Sequence, residues 1–430
     1  MKDKIDITQI DLPAVKEKSL CALPWLHIHV TPDQNIMPCC IANMENVDDV
    51  RSTMDDSIDD WMNSEAMKKM RLDMLNGIQP NACKTCYHQE TSMESFRKTA
   101  NREYAEFMEE NFANTNADGS IDDFKMRYLD MRFSNLCNMK CRTCGSAYSS
   151  LWEIEDKKYG HQFNIPINEI NKPTVFDELK DQITNLKKAY FAGGEPLITE
   201  DHYVLLEEMI RRGKTDIFLS YNTNISKLRF KDKDLTNLWK QFKHKVQVYA
   251  SLDHYGAKAE YIRHGTKWNE VEKNYKTLLE SDAAQLNITT SVSLFNWPSL
   301  TQFIEHFHDE GIAPWNKNNR GAWQINPIYG PAEFSFQALP EDFKDEIIKE
   351  QVAYMRKLEM RQAKLENEHV AHQIELLRSQ LQSLGQLAKT QNNWEEQKLR
   401  FRTEVRKIDG RRKEDFSTTF PELARLIHEE

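Results

Sequence analysis

The 430-residue sequence predicts an α/β protein whose core is a parallel sheet. Three observations lead there. From Tyr128 onward, short apolar runs alternate about six times with longer amphipathic stretches, and strand–helix–strand repetition of that kind builds a parallel sheet. Two polar segments, Cys137 to Cys144 and Gly193 to Pro196, each follow directly on an apolar run, where the loops of an α/β barrel carry reactive groups. From Glu341 to about Gln391 there is almost no Gly or Pro and charge is dense, so the sheet is followed by helix.

Taken in order, residues 1–95 form a cysteine-rich module. Cys21-Ala22-Leu23-Pro24-Trp25 leads into the alternating run Leu26 to Val30, a strand. Thr31 to Asn35 is turn chemistry and Ile36 to Cys40 a short returning strand, so Cys21 and Cys39 or Cys40 stand at the two ends of a hairpin. A helix is expected from Asp56 to Asn76. Cys83-Lys84-Thr85-Cys86 then supplies a two-thiol loop of the kind that grips an iron–sulfur cluster or zinc. His27 and His29 read as half-buried strand residues, with metal ligation the lesser alternative. Residues 96–125 are a helical connector that ends in the turn Asn116 to Ser120.

Residues 126–335 carry the sheet. The strand candidates are Tyr128 to Phe133, Lys188 to Ala192, Asp216 to Tyr221, Val246 to Leu252, Ile288 to Leu294 and Trp323 to Pro327, with helices such as Asp201 to Arg212 and Asn269 to Leu279 between them. Residues 336–430 read as a long helix and a terminal segment. Val370, Ile374, Leu377, Leu381, Leu384 and Ala388 form a narrow seam that either pairs with a second chain or folds back on the sheet. Phe416, Phe420 and Leu423 suit a short terminal helix docked by its aromatics, with Arg411-Arg412-Lys413 beside it as the lesser candidate for a substrate-facing basic patch.

Three thiols spaced by three and then two residues, Cys137, Cys141 and Cys144, with Gly193-Gly194-Glu195-Pro196 about fifty residues on, resemble the radical S-adenosylmethionine (radical SAM) enzymes. The resemblance selects a partial (β/α)6 barrel, which periodicity alone does not separate from a doubly wound sheet. It implies that Cys137, Cys141 and Cys144 hold three irons of a 4Fe-4S cluster whose fourth iron chelates S-adenosylmethionine (SAM). Glycines at 193 and 194 would allow close approach, Glu195 would accept from the ammonium of SAM, and Pro196 completes the motif. Asn222-Thr223-Asn224, with Asn222 the chosen contact, and Ser251-Leu252-Asp253, with Ser251 and Asp253, resemble by position the groups that hold the ribose and sulfonium region, and the stretch from Val292 to Asn296 the receiver of adenine. Asp253 as a mere helix cap is the plain alternative. Thr143 stands where the family commonly has an aromatic residue.

The N-terminal cysteines resemble the auxiliary-cluster modules called SPASM and twitch, with Gln34 where those have a turn glycine and with the module placed before the barrel. That resemblance implies one second 4Fe-4S cluster on Cys21, Cys39, Cys83 and Cys86, leaves Cys40 over, and suggests a peptide or protein substrate. A structural zinc site is the alternative for the same thiols. An enzyme of this class cleaves SAM reductively to a 5′-deoxyadenosyl radical that removes a substrate hydrogen, and needs an electron donor such as flavodoxin or ferredoxin. A nucleotide, sugar or RNA substrate and a non-catalytic zinc scaffold are the competing functions.

Composition sets the outer limits. Acidic residues exceed basic ones by ten charges, which argues against a chain built mainly to coat nucleic acid, although a local basic groove would not show in that sum. Met1 to Ser19 has no apolar h-region and no segment approaches a membrane span. Most of the eight cysteines fall in metal-like spacings, a pattern of a reducing compartment, so a cytoplasmic protein is expected.

Overall fold

The computed structural model describes residues 3–43, 50–53, 57–91, 94–161, 173–243, 245–315 and 319–428. Thirteen strands occur among them: β1 (His27–Val30), β2 (Asn35–Met37), β3 (Ser52–Thr53), β4 (Tyr128–Met131), β5 (Lys140–Cys141), β6 (Lys188–Phe191), β7 (Phe218–Thr223), β8 (Arg229–Phe230), β9 (Lys233–Asp234), β10 (Val246–Ser251), β11 (Arg263–His264), β12 (Gln285–Val292) and β13 (Trp323–Pro327). All six strand candidates of the sheet are present. The chain divides into two compact units, Met1–Leu136 with Asn164–Ser220, and Cys137–Phe163 with Tyr221–Glu430. The boundary falls inside β7.

In the first unit the strands run β3-β2-β1-β4-β6, followed by the start of β7. β1 and β2 form the expected hairpin, antiparallel, with His29 opposite Met37. Gln34 takes the left-handed turn conformation, φ 62°, that a glycine would take more cheaply. β1 then pairs in parallel with β4, so the cysteine-module hairpin extends the same sheet, and β4 pairs in parallel with β6. One sheet face is apolar: Ile28, Val30, Leu129, Met131, Ala189 and Phe191 are buried, and Phe191 meets His202 of the helix Glu200–Arg211 edge to face. The opposite face carries His27, His29, Tyr128 and Asp130, all buried, together with Tyr190. The helix expected over 56–76 is two helices, Ile58–Met62 and Glu65–Leu75. Ser64 breaks it by accepting from the Met67 N–H as an N-cap.

In the second unit β10, β12 and β13 are parallel neighbours, with the end of β7 next to β10. β5 pairs with β11 and β8 with β9, both antiparallel. Helix Trp268–Ser281 buries Val271, Tyr275 and Leu278 against the core, as its 3.6-residue period requires.

The long C-terminal helix is a correction. It is two helices, Glu341–Gln362 and Glu368–Ala388, separated at Asn367, whose side chain accepts from the Val370 N–H. The apolar seam does not await a second chain: Ile374, Leu377, Leu381, Leu384 and Ala388 are all at most 2% exposed within this one. The helix Glu368–Ala388 packs mainly on Glu341–Gln362, and Gln380 ties it to the sheet. Its amide accepts from the Ile325 N–H (2.7 Å) and donates to the Trp323 carbonyl (3.0 Å), closing the free edge of β13. A third helix, Trp394–Arg412, ends at Lys413 in the left-handed conformation, and Phe416, Phe420 and Leu423 are buried as expected. Among the described residues no helix is long and apolar enough to cross a membrane.

Candidate metal and cofactor sites

In the first unit Cys21, Cys39, Cys83 and Cys86 line one cavity, together with Leu23, Ile41, Ala42, Ala82, Phe96 and Arg97. Cys21 opens the turn before β1, Cys39 follows β2, and Cys83 and Cys86 come from the tight turn into helix Lys84–Gln89. Burial pushes all four thiols up, Cys21 to about 12, and for Cys39 and Cys83 the neighbouring cysteines push in the same direction. Cys39 nevertheless accepts the Ile41 N–H at 3.4 Å, and the backbone N–H groups of Leu23 and Arg97 work against the rise at Cys21 and Cys86. Acceptor-ready sulfurs in a closed pocket, with the Arg97 guanidinium alongside, are fit for thiolates once a metal takes the protons. Among the described residues no group of three or more His, Cys, Asp or Glu is arranged to hold a single metal ion, and the four thiols surround a space instead of meeting at a point.

Cys40 does not line that cavity. It is exposed and lies near the buried Asp130, and crowding together with that carboxylate drives its thiol well above the ordinary range. Asp130 also meets His29 Nδ1 at 3.0 Å and Arg132 Nε at 3.4 Å. His27 stacks on Tyr128 (centroids 4.2 Å apart) with its Nδ1 3.0 Å from that residue's carbonyl. The two histidines therefore belong to the strand face and not to the thiol cavity.

Also in the first unit, the turn after β6 closes on the backbone that leads into the cysteine loop. The Gly194 N–H donates to the Ser134 carbonyl (3.1 Å) and the Glu195 N–H to the Leu136 carbonyl (2.8 Å). A Cβ on Gly194 would stand 2.2 Å from the Leu136 oxygen, and Gly193 has φ 107° with Arg132 Cβ 3.0 Å from where its own Cβ would be. Both glycines are thus required by close approach. Glu195 is 2% exposed and one carboxylate oxygen accepts from the Leu197 N–H (3.0 Å); Pro196 opens the short turn that follows.

In the second unit Cys137, Cys141 and Cys144 sit on a loop held at nearly every residue. The Cys137 N–H donates to Ser150 Oγ (3.2 Å), Asn138 bonds Asn224 (3.0 Å) and Ser226 (2.8 Å), and Thr266 Oγ1 reaches Met139 Sδ (3.4 Å). The Cys141 carbonyl accepts from Trp152 Nε1 (2.8 Å). Gly265, φ 102°, lets β11 pass so close that a Cβ would lie 2.8 Å from the Asn138 oxygen. Burial pushes the Cys141 thiol up to about 12, and Cys144 is raised for the same reason.

Arg263, which sequence reasoning missed, stands directly opposite Cys141 in the β5–β11 pair. Its Nη1 lies 3.8 Å from Cys141 Sγ and its Nε 2.7 Å from Asp253 Oδ2. Burial works against its charge, but Asp253 and Cys141 outweigh that and hold its pKa above the ordinary value. Asp253 caps no helix. Its other oxygen accepts from the Ser291 N–H (2.8 Å) and its carbonyl from Asn296 (2.9 Å), which fixes the ends of β10 and β12 together. A small cavity is lined by Met139, Asn224, Ser251, Asp253, His254 and Arg263, among others, so two of the expected cofactor contacts, Ser251 and Asp253, converge with the cysteine loop, and Asn224 takes the place expected of Asn222. Asn222 and Val292 do not line it. Val292 is fully buried and its carbonyl accepts from Ile328 (2.9 Å), within the β12–β13 ladder. A hydrogen-bonding Arg between two acceptors carried no short-range signal, since it is 122 residues from Cys141.

Residues 21–87 match the family model SPASM, described as an iron-sulfur cluster-binding domain. No curated protein matches the chain. Similar solved structures include native anSMEcpe with bound AdoMet (16% identity, 55% of this chain and 61% of that one, TM-score 0.38) and Streptococcus suis SuiB bound to S-adenosylmethionine (16%, 62% and 57%, 0.34). TYW1 with a lysine-pyruvate adduct bound is a third (16%, 52% and 72%, 0.31). The chain spans less than two thirds of the length of the first two.

Proposed function

We propose that this chain is a radical SAM enzyme with an N-terminal auxiliary iron–sulfur module, acting on a peptide or protein. The observation that carries the reading is the pair of separate thiol sets, each built by its own unit: three thiols on a braced loop, and four around a cavity in the segment that matches SPASM. Three thiolates suit a 4Fe-4S cluster with one open iron, and four suit a closed one. Bound at the loop, such a cluster with SAM would supply one-electron cleavage of SAM and, from it, removal of a hydrogen from an unreactive carbon.

The chain's own residues bind and orient. Cys137, Cys141 and Cys144 are the ligands of the first cluster, and Cys21, Cys39, Cys83 and Cys86 those of the second. Arg263 puts a fixed positive charge beside Cys141 and holds Asp253 in place, while Asn224 and Ser251 line the same small cavity. Glu195, kept from water at 2% exposure, offers a carboxylate oxygen to an ammonium group. The protein's contribution is orientation and exclusion of water, and the cofactor carries the hard chemistry. The peptide substrate follows from the resemblance of the module to those that accompany peptide-modifying barrels. The catalysis takes place in a reducing, cytoplasmic setting, fed by a flavodoxin- or ferredoxin-like donor.

The test is anaerobic incubation of the reduced chain with SAM and deuterated peptide pools. Deuterium in the 5′-deoxyadenosine formed is expected. Deuterium transfer from nucleotide, sugar or RNA pools and none from peptides would overturn the substrate class.

A further inference from the structure

The cysteine loop is held from one side by β11 and from another by the far end of the chain. Arg412, at the last turn of helix Trp394–Arg412, donates from Nη1 to the Lys140 carbonyl (2.9 Å), pairs with Glu155 (3.3 Å) and lies over the Trp152 ring at 4.4 Å. The same Trp152 donates to the Cys141 carbonyl (2.8 Å). Arg142, between the second and third thiols and 1% exposed, stacks on Tyr261 at 3.5 Å and donates to both Asp409 and Glu414 at 2.5 Å. Asp409 also accepts from Tyr261 Oη (2.8 Å) and the Phe416 N–H (2.8 Å), and Glu414 meets His264 Nδ1 at 2.6 Å. Lys413, φ 58°, turns the chain so that both acids face Arg142. The Lys140 carbonyl of β5 and the Arg142 side chain are therefore fixed by residues about 270 positions away, and the next carbonyl, that of Cys141, by Trp152, which Arg412 covers.

We propose that the segment from Asp409 to Phe416 is a positioning brace for the cysteine loop, with Arg412 and the Asp409–Glu414 pair as its working groups. This rests on the reading of Cys137, Cys141 and Cys144 as cluster ligands, but the brace itself is a property of the polypeptide. A loop that must present three thiols to three irons gains from having its backbone fixed beforehand, because ordering it on binding would cost conformational entropy. The guanidinium fork is what makes Arg412 specific: it bonds a carbonyl and a carboxylate while its flat face covers an indole.

The test uses full-length Arg412→Met and Arg412→Lys chains, with exposed Leu399→Ala as a control. In the iron-free chain, amide hydrogen exchange of residues 139–144 should quicken at least about five-fold in Arg412→Met, less in Arg412→Lys, and not in the control. In the iron-loaded chain, the electron paramagnetic resonance signal from the three-thiol cluster should broaden or vanish in Arg412→Met while the four-thiol signal persists, and Arg412→Lys should restore part of it. Exchange unchanged in Arg412→Met, and likewise in Asp409→Asn, would overturn the brace. Quickened exchange in a chain whose wild type binds no iron at the loop would leave the brace standing and overturn the cluster reading instead.

Discussion

Replacing Gly194 by alanine should cost this chain far more than a methyl group ordinarily does. The new Cβ would stand 2.2 Å from the Leu136 oxygen, 2.7 Å from its carbon and 2.8 Å from the Asn135 carbonyl carbon, all backbone atoms that no rotamer change can move. Overpacking of this kind costs about 1–3 kcal/mol. The shift that relieves it stretches two hydrogen bonds, Glu195 N–H to Leu136 and Gly194 N–H to Ser134, each worth about 0.5–1.5 kcal/mol net. The sum is about 2–6 kcal/mol, shared between lost stability and a displaced Leu136, the residue that opens onto Cys137. The assay is urea unfolding of the iron-free chain, with SAM affinity by anaerobic titration as the second readout. Gly145→Ala is the internal control, because nothing lies within 4 Å of a Cβ there, and it should stay within about 0.5 kcal/mol of wild type. A Gly194→Ala chain as stable as the control, with unchanged SAM affinity, would refute the close approach and the role given to this turn.

Other outcomes follow from the same geometry. In a chain lacking Cys137, Cys141 and Cys144, Cys39→Ser should abolish the remaining iron and Cys40→Ser should leave it, since only Cys39 lines the four-thiol cavity; the reverse pattern in iron and sulfide counts would reassign the ligand. Glu195→Gln should weaken SAM binding by about 1–3 kcal/mol without loss of iron, measured by titration. Asp253→Asn leaves the half-buried Arg263 without its carboxylate and should cost about 1–3 kcal/mol in urea unfolding. Arg361 and Lys357 hold the Glu305 carboxyl down at about 2, below its unfolded value. Its stabilisation is therefore full above the ordinary carboxylate range and is lost as pH falls toward 2, so the stability gap between wild type and Glu305→Gln should close over that window.

The sheet was legible because each of its strands is a short apolar run bounded by helical spacing, and Trp323 to Pro327 even has the expected limits. Parallel pairing of β1 with β4 was not, because the register is set by contacts about a hundred residues apart that leave no local pattern. The turn over Thr31 to Asn35 was legible from its residue types, and Gln34 has the positive φ that the resemblance implied by placing a glycine there. The C-terminal helix misled for a physical reason. Its break at Asn367 uses a side-chain cap with no Gly or Pro, so the periodic seam seemed to belong to one long rod, whereas the helix that carries it folds back on Glu341–Gln362 and reaches β13 through Gln380. A shared site for Cys21, Cys83, Cys86 and one of Cys39 and Cys40 could be read from spacing, with Cys39 implied by the resemblance; Arg97, Arg263 and Arg412 beside the thiol sets could not, since such a cation is identified only by what folding brings to it.

The central claim is tested most directly by counting iron and sulfide, anaerobically, in the wild-type chain and in one with Cys137, Cys141 and Cys144 all changed to Ala, and by assaying each for reductive formation of 5′-deoxyadenosine from SAM. The account predicts about eight irons falling to about four, with SAM cleavage in the wild type alone. Zinc in place of iron, or SAM cleavage that survives loss of the three thiols, would contradict it.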